Sequence, residues 1–517
     1  MEDRMNPQAT EDRAGARAWL GLAVLALPTL LVGINTTVLF LAQPELSAEL
    51  GANEAQRLWI TDIYGFLIAG FLITMGTLGD RIGRRRLLLI GAATFSLASV
   101  LAAFSPTPEL AIVTRGLMGV AGATIMPSTL SLIRSMFHDP RQRTSAIAVW
   151  ATSLSVGIAL GPLLSGAMLQ FFWWGSTLLI GLPFLILLLV VGPILLPEYR
   201  DPTVRGSIDL LSVALSLVSV LAVIYGIKHA ATDGLTLSTV ASAVAGVVIG
   251  VIFLRRQHRL DDPLLDLTMF RDRAFSAALS LIVLVLFVFG GIQFLFSIYL
   301  QQVVGFSPMW SGIWMAPSAA GLLVGSLLAP SLIRWARPGV VAAGGLVLSV
   351  VGLGLMSQVA TAGETDTSSP SFLLLQLGVT LAFLGMGPSM VLGADLVVGS
   401  APQEKAGSAS AMEETAAEFG VATGIAVLGS VGAVLYRGWM SGVDVEGVPE
   451  EASRRAVESL DGALAEADVI GPELVHRAQE AFAQGFAWAG LGSAFLFVLV
   501  AVGAVLFLRN VSSDGGH

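Results

Sequence analysis

The chain has no cysteine, which removes disulfides, thiolate metal sites and cysteine nucleophiles together. Charge is scarce as well: 13% of the residues are Asp, Glu, Lys or Arg, against about 25% in an ordinary soluble domain. Lysine is nearly missing, with Lys228 and Lys405 the two lysines among 28 cations. The five histidines (His138, His229, His258, His476 and His517) are scattered, and no pair has the i, i+4 spacing that holds a metal. No G-x-x-x-x-G-K-[ST] loop exists to cradle a nucleotide, nor an H-E-x-x-H or G-x-S-x-G cluster for catalysis. The composition therefore predicts no cofactor, no metal and no enzyme. A net charge of −9, with the arginines in short loops rather than on one basic face, argues against a nucleic-acid partner.

What the chain does have is apolar length. Hydrophobic residues make up 55% of it, and the mean hydropathy is +0.79. Runs such as 20–42, 87–104, 178–196 and 486–508 contain no Lys, Arg, Asp or Glu. Each reaches the ~20 residues that cross a ~30 Å hydrocarbon core. The expected fold class is an all-α integral membrane protein of about fourteen transmembrane helices, at 18–42, 57–78, 87–105, 110–134, 144–170, 175–196, 208–229, 237–256, 273–300, 309–334, 339–360, 370–399, 407–437 and 479–508. An even count puts both termini on one side. With that side cytoplasmic, the inner segments hold 21 of the 28 cations, the bias expected of loops retained in the cytoplasm. The polar segment 1–17 has no small-residue cleavage site after a short apolar core, so no removable signal peptide is expected. Segment 438–478 is long for a connection and carries nine acids against three arginines. Its apolar spacing fits short amphipathic helices near Pro449 and Pro472, either as a solvated external cap or as an acidic vestibule for cations.

Three motifs narrow the reading. The second and third helices are joined by Gly76-Thr-Leu-Gly79-Asp80-Arg81-Ile-Gly83-Arg84-Arg85-Arg86, where the glycines permit a tight turn and Asp80 can cap or pair with a neighbouring arginine. This resembles the loop signature of the major facilitator superfamily. Helix four carries Arg115-x-x-x-Gly119-x-x-Gly122, similar to a second family motif although Met118 replaces its usual Gln. An arginine one turn into a span is expensive, so it either snorkels outward or answers a carboxylate in the bundle. In the family this arginine is linked to proton transfer. Helix five carries Gly157-Ile-Ala-Leu-Gly161-Pro162-Leu-Leu-Ser165-Gly166, which resembles the motif marking antiporters, with Ser165 in place of one glycine. Three further segments, Trp59 to Tyr64, Ala148 to Trp150 and Met412 to Gly420, resemble the fourteen-helix drug:proton antiporters, especially multidrug and quaternary-ammonium efflux pumps.

That resemblance implies two six-helix bundles with two inserted helices. The divisions are a cytoplasmic tail at 1–17, a first bundle at 18–200, the insertion at 201–260, a second bundle at 261–508 and a tail at 509–517. It also implies a monomer in the cell inner (plasma) membrane, both termini cytoplasmic, whose partners are hydrophobic cationic drugs, protons and the lipid bilayer. Segment 330–339 reads as a worn second copy of the first-half loop, as internal repeats would give.

An ionisable residue inside a span is a functional candidate by default. Glu414 and Glu418 lie four apart and share one helix face. Burial disfavours their charged forms, so either can hold a proton or offset an organic cation, unless it is simply bonded within the bundle. Glu413 points to a different face. Asp62, about a turn into helix two, is either a helper for cationic substrates, as the resemblance implies, or an interfacial acid that stays wet. Helix one departs from the family: Asn35 stands at its acidic position and Gln43 precedes Pro44. Asparagine cannot exchange a proton. Either coupling rests on helix thirteen, or the chain is an Asp-to-Asn variant imitating the protonated state. Tyr64, Trp150 and Tyr299 are candidate aromatic walls for a lipophilic cation; aromatics near span ends, among them Trp310, also serve as interface anchors. The leading expectation is a proton-coupled exporter of lipophilic cations by alternating access. A same-fold exporter of a neutral or amphipathic compound, and more distantly a polytopic membrane enzyme, are the alternatives.

Overall fold

The structure, a computed structural model, describes residues 14–137, 139–199, 209–233, 236–260, 263, 265, 267–358, 369–400, 406–441 and 449–508. Most of the expected tails, 1–13 and 509–517, lie outside the described residues. In chain order the helices are α1 (Ala16–Thr37), α2 (Leu39–Leu50), α3 (Glu54–Ile82), α4 (Arg84–Ala103), α5 (Pro108–Gly122), α6 (Ile125–Met136), α7 (Pro140–Phe171), α8 (Ser176–Leu179) and α9 (Leu182–Leu195). They continue as α10 (Leu210–Asp233), α11 (Leu237–Gln257), α12 (Arg273–Ile298), α13 (Pro308–Leu332), α14 (Pro338–Ser357), α15 (Pro370–Gly399), α16 (Ala406–Met440), α17 (Glu450–Glu458), α18 (Leu460–Ala465) and α19 (Ala467–Leu508). Among the described residues thirteen helices are long and apolar enough to cross a membrane; counting α3, which bends by 55° between Leu72 and Thr74, makes fourteen. That number matches the expectation, and the protein is a multi-pass membrane protein.

Local chemistry explains where the helices begin. Asn53 and Gln56 close a reciprocal capping box at the start of α3, satisfying two amide donors that a helix end leaves orphaned. Thr107 before Pro108, and Ser307 before Pro308, cap α5 and α13 with a proline in the first turn, where no amide hydrogen is needed.

Three apolar clusters form among the described residues. One joins α1 to α9 around Phe95, Ile133 and Trp174; the largest joins α12 to α16 with α19 around Phe289, Phe383 and Phe497 and takes in Phe40, Leu41 and Leu58 of the first bundle; a small one joins Phe66, Ile224, Ala422 and Ala426 across α3, α10 and α16. The inserted α10 and α11 pack on each other where Gly226 meets Thr239 O and Gly246 meets Ser219 O. α10 also leans on α3 and α16, one helix from each bundle. This is the expected pair of six-helix bundles with two inserted helices.

The turn between α3 and α4 differs from the expected loop. Residues 79–82 remain helical, and the chain reverses at Gly83 alone, whose φ of +108° is a conformation that only glycine adopts without strain. The 438–478 segment is likewise more helical than a plain connection. Pro449 caps α17, α18 follows, and a break at Gly471 (φ +76°) precedes the long final helix. Residues 442–448 lie outside the described residues.

Candidate functional site

Fourteen spans place the ends of α1 and α19 on one side of the molecule, called here the terminal side, and residues 51–53, 104–107 and the α17–α18 pair on the far side. The contacts joining the two bundles gather toward the far side. Gly312 of α13 lets Pro162 O of α7 approach to 2.7 Å of where a side chain would begin, and a side chain at Gly166 would begin 3.0 Å from Met309 Cα. Ser297 donates to Phe40 O at 3.3 Å. Farther into the molecule, α3 meets α16 at Gly65, where an added methyl would lie 3.2 Å from Ala422 Cβ and 3.8 Å from Glu418 Oε2.

Glu418 therefore stands on the junction between the bundles, facing α3. Glu414 lies one turn away, and its carboxylate is close enough for the charges of Glu413 and Glu418 to act on it. Glu413, expected on another face, is the chain neighbour of Glu414 and acts on it by charge. All three are half-buried, and none has a hydrogen bond or ion pair among the described residues. Three acids confined together without a counter-ion cannot all stay ionised cheaply.

Across the junction, Tyr64 is buried and its hydroxyl has no hydrogen-bond partner among the described residues. It sits in the fields of both Glu418 and Arg115. The Arg115 guanidinium lies over the Tyr64 ring, 4.5 Å from its centroid, while Nε donates to Ile60 O at 3.3 Å. Arg115 is 2% exposed. It neither snorkels to water nor pairs with a carboxylate among the described residues; an aromatic face takes the place of the counter-charge. Gly119 makes this possible, because a side chain there would fall 2.5 Å from Tyr64 O. The order across the junction is carboxylate, phenol, guanidinium.

The other candidates divide. Asp62 is 1% exposed, which corrects the reading of an acid that stays wet. Asn35 is buried; its Nδ2 donates to Leu31 O at 3.1 Å and its Oδ1 has no partner among the described residues. Trp150 is committed to the first-bundle core, its Nε1 donating to Thr129 Oγ1 at 2.9 Å. Tyr299 packs on Phe486 in the second core, with centroids 5.5 Å apart. Trp150 shares the first core with Tyr64, whereas Tyr299 lies in the second. In the antiporter-like motif, Gly157 and Gly161 receive the backbone of α1 at Leu30 and Ile34, so this stretch of α7 is pressed between α1 and α13. In the turn motif, Asp80 pairs with Arg84 at 2.5 Å, Gly79 makes room for the Arg84 side chain, a methyl added at Gly76 would lie 3.8 Å from Pro127 Cβ, and Arg81 closes the last turn of α3.

Sequence reasoning missed two features. Glu198 accepts from the Arg85 amide at 3.1 Å and packs its carboxylate against Gly83, so it pins the turn from the end of α9. On the far side Arg57, at the start of α3, pairs with Asp461 of α18, which also accepts from Gln302 at the end of α12. One acid thereby ties the first bundle, the second bundle and the α17–α18 cap. The available signals were an arginine on the cation-poor side and an acid-rich segment, but separation in sequence hid the pairing.

A family model described as the Major Facilitator Superfamily matches residues 25–425. The chain is 40% identical to the multidrug efflux pump LfrA of Mycolicibacterium smegmatis, over 96% of this chain and 98% of that protein. It is 32% identical to the methyl viologen resistance protein SmvA of Salmonella typhimurium, covering 94% and 97%. It is also 31% identical to the tetracenomycin C resistance and export protein of Streptomyces glaucescens, covering 96% and 93%. Among solved structures, a bacterial homologue of the human lysosomal transporter Spinster, inward-facing and unoccupied, superimposes with a TM-score of 0.64 at 14% identity, covering 96% of this chain and 98% of that one. The bundles, the turn motif and these matches agree, and the chain belongs to the Major Facilitator Superfamily.

Proposed function

We propose that this protein is a proton-coupled exporter of lipophilic organic cations, working by alternating access. The observation that carries the reading is the acidic group of Glu413, Glu414 and Glu418, half-buried at the bundle junction, with Glu418 toward Tyr64, whose ring carries the Arg115 guanidinium. A cation entering that group displaces protons, and protons returning release the cation, which is exchange. Asp62, buried in the same helix as Tyr64, extends the negative lining toward the far side. The relatives named for multidrug efflux and methyl viologen resistance support drug export and a cationic cargo.

The arginine bias assigns the terminal side to the cytoplasm and the protein to the plasma membrane. On that reading the molecule is closed outside, through Gly312, Gly166 and the Arg57–Asp461 pair, and receives substrate from inside. The first bundle, the insertion and the second bundle then act as rocking and bridging units, with the chain working as a monomer. Asn35 leaves helix one without a titratable group, so coupling falls to α16. The tetracenomycin exporter supports a second reading, in which the cargo is a neutral polyaromatic compound.

The test is ethidium movement in proteoliposomes under an imposed pH gradient, comparing the chain with Glu418→Gln and Asn35→Asp. Activity abolished by Glu418→Gln assigns coupling to α16. Activity found only with Asn35→Asp means the asparagine blocks turnover. If all three fold and none moves ethidium, the cationic-cargo reading fails.

A further inference from the structure

One cavity among the described residues lies away from the bundle junction. It is a groove of about 460 Å³ between the start of α12 and the end of α19, lined by Arg273, Ser280, Leu284, Leu496, Val500 and Gly503 among others. From Arg273 to Leu284 the helix rises about 16 Å at ~1.5 Å per residue. That is close to half of a ~30 Å hydrocarbon core, so the groove spans one leaflet. Its walls are mostly apolar, with the hydroxyls of Ser276 and Ser280 among them, and its charge sits at the terminal-side mouth. There Arg273 is exposed and, like exposed Arg271 two residues before it, has no ion pair among the described residues. Two other arginines of this side are paired, Arg84 with Asp80 and Arg256 with Asp209.

An apolar slot one leaflet deep, with uncompensated positive charge at the headgroup level, has the shape and charge of a lipid site. We propose that this groove binds an anionic phospholipid of the terminal-side leaflet, with an acyl chain between α12 and α19 and the phosphate on Arg273 and Arg271. The proposal does not depend on the transported substrate. It requires only that α12 and α19 span a membrane.

The test uses the delipidated full chain in detergent, titrated with phosphatidylglycerol, with phosphatidylcholine of the same chains and with soluble glycerol 3-phosphate. Bound lipid is counted by native mass spectrometry and stability is read as the thermal midpoint. Phosphatidylglycerol is expected to bind at least tenfold more tightly than phosphatidylcholine and to raise the midpoint by several degrees, while glycerol 3-phosphate does neither. Arg271→Gln with Arg273→Gln should abolish the preference, and Arg273→Lys should keep it, which separates lost charge from a damaged fold. Ser280→Phe, an exposed lining position, should fill the groove and weaken both lipids. Equal binding of the two lipids, a preference that survives the arginine substitutions, or stabilisation by glycerol 3-phosphate alone would overturn the proposal. A lipid-independent dimer lost with Ser280→Phe would overturn it as well, by making a second copy the occupant.

Discussion

The first bundle and α16 treat buried charge in opposite ways. Arg115 is sealed in, yet its charge is answered by the Tyr64 ring and a backbone carbonyl. At the terminal side Arg84 has Asp80, and Arg85 has Glu198 at 3.6 Å. Glu413, Glu414 and Glu418 are confined together with no partner among the described residues. Satisfied charge fixes structure, because separating it costs free energy in any state. Unsatisfied charge at a junction is a reservoir, and its cost falls when a proton or cation arrives. The difference separates residues that hold this fold from residues that operate it.

The contrast is broken most severely by Glu418→Gln. Neutralising one acid of the group should lower proton-driven transport at least a hundredfold in the proteoliposome assay, while the thermal midpoint stays level or rises because a repulsive charge is gone. A fall in the midpoint large enough to explain the lost transport would instead make Glu418 structural.

Arg115→Ala should do the reverse in proportion. It removes a desolvated cation from an aromatic face, worth about 2 kcal/mol, and leaves a cavity besides. The midpoint should drop by several degrees, and Tyr64→Leu should add little further loss, since both changes remove the same contact. Full additivity in that double-mutant cycle would mean the ring does not carry the charge.

Gly83→Ala tests the fixed turn. The new methyl meets the Glu198 carboxylate in a backbone conformation with φ of +108°, a strain of roughly 1–3 kcal/mol. Pairing it with Glu198→Ala should recover the steric part and leave the backbone part, as read by thermal unfolding.

The smallest effect is expected where a pair is partly wet. Burial pushes Asp209 up, but the hydrogen bonds and charge of Arg256, with Ser212, outweigh it and hold the carboxyl below its ordinary range. A depressed carboxyl stabilises the fold above its unfolded pKa and loses that contribution as pH falls through the folded value. Asp209→Asn should therefore cost about 0.5–1 kcal/mol at neutral pH, and nothing in acid. A difference that persists in acid would assign the effect to packing.

Much of this was legible beforehand for a physical reason: periodic or fixed-spacing signals survive in one dimension. Apolar runs marked the spans, glycines at i and i+4 marked the α7 seam, and Glu414 and Glu418 announced a shared face. Trp150 was less legible, because an aromatic residue looks alike in a core and on a cavity wall. Its bond to Thr129 depends on where α6 lies. The Asp461 contacts were hidden for the same reason, since Arg57 and Gln302 come from two different bundles.

The sequence by itself determined the membrane environment, the number of spans, a glycine-permitted turn after the second helix and the small set of charges placed inside spans. Those follow from length, hydropathy and backbone sterics, which are local. Only the three-dimensional structure decided that the turn reverses at Gly83 alone, that Arg115 meets an aromatic ring and no acid among the described residues, and that Asp461 ties both bundles together on the far side. Each of those outcomes depends on which helix faces which, and charge is satisfied or left wanting only after the helices have packed.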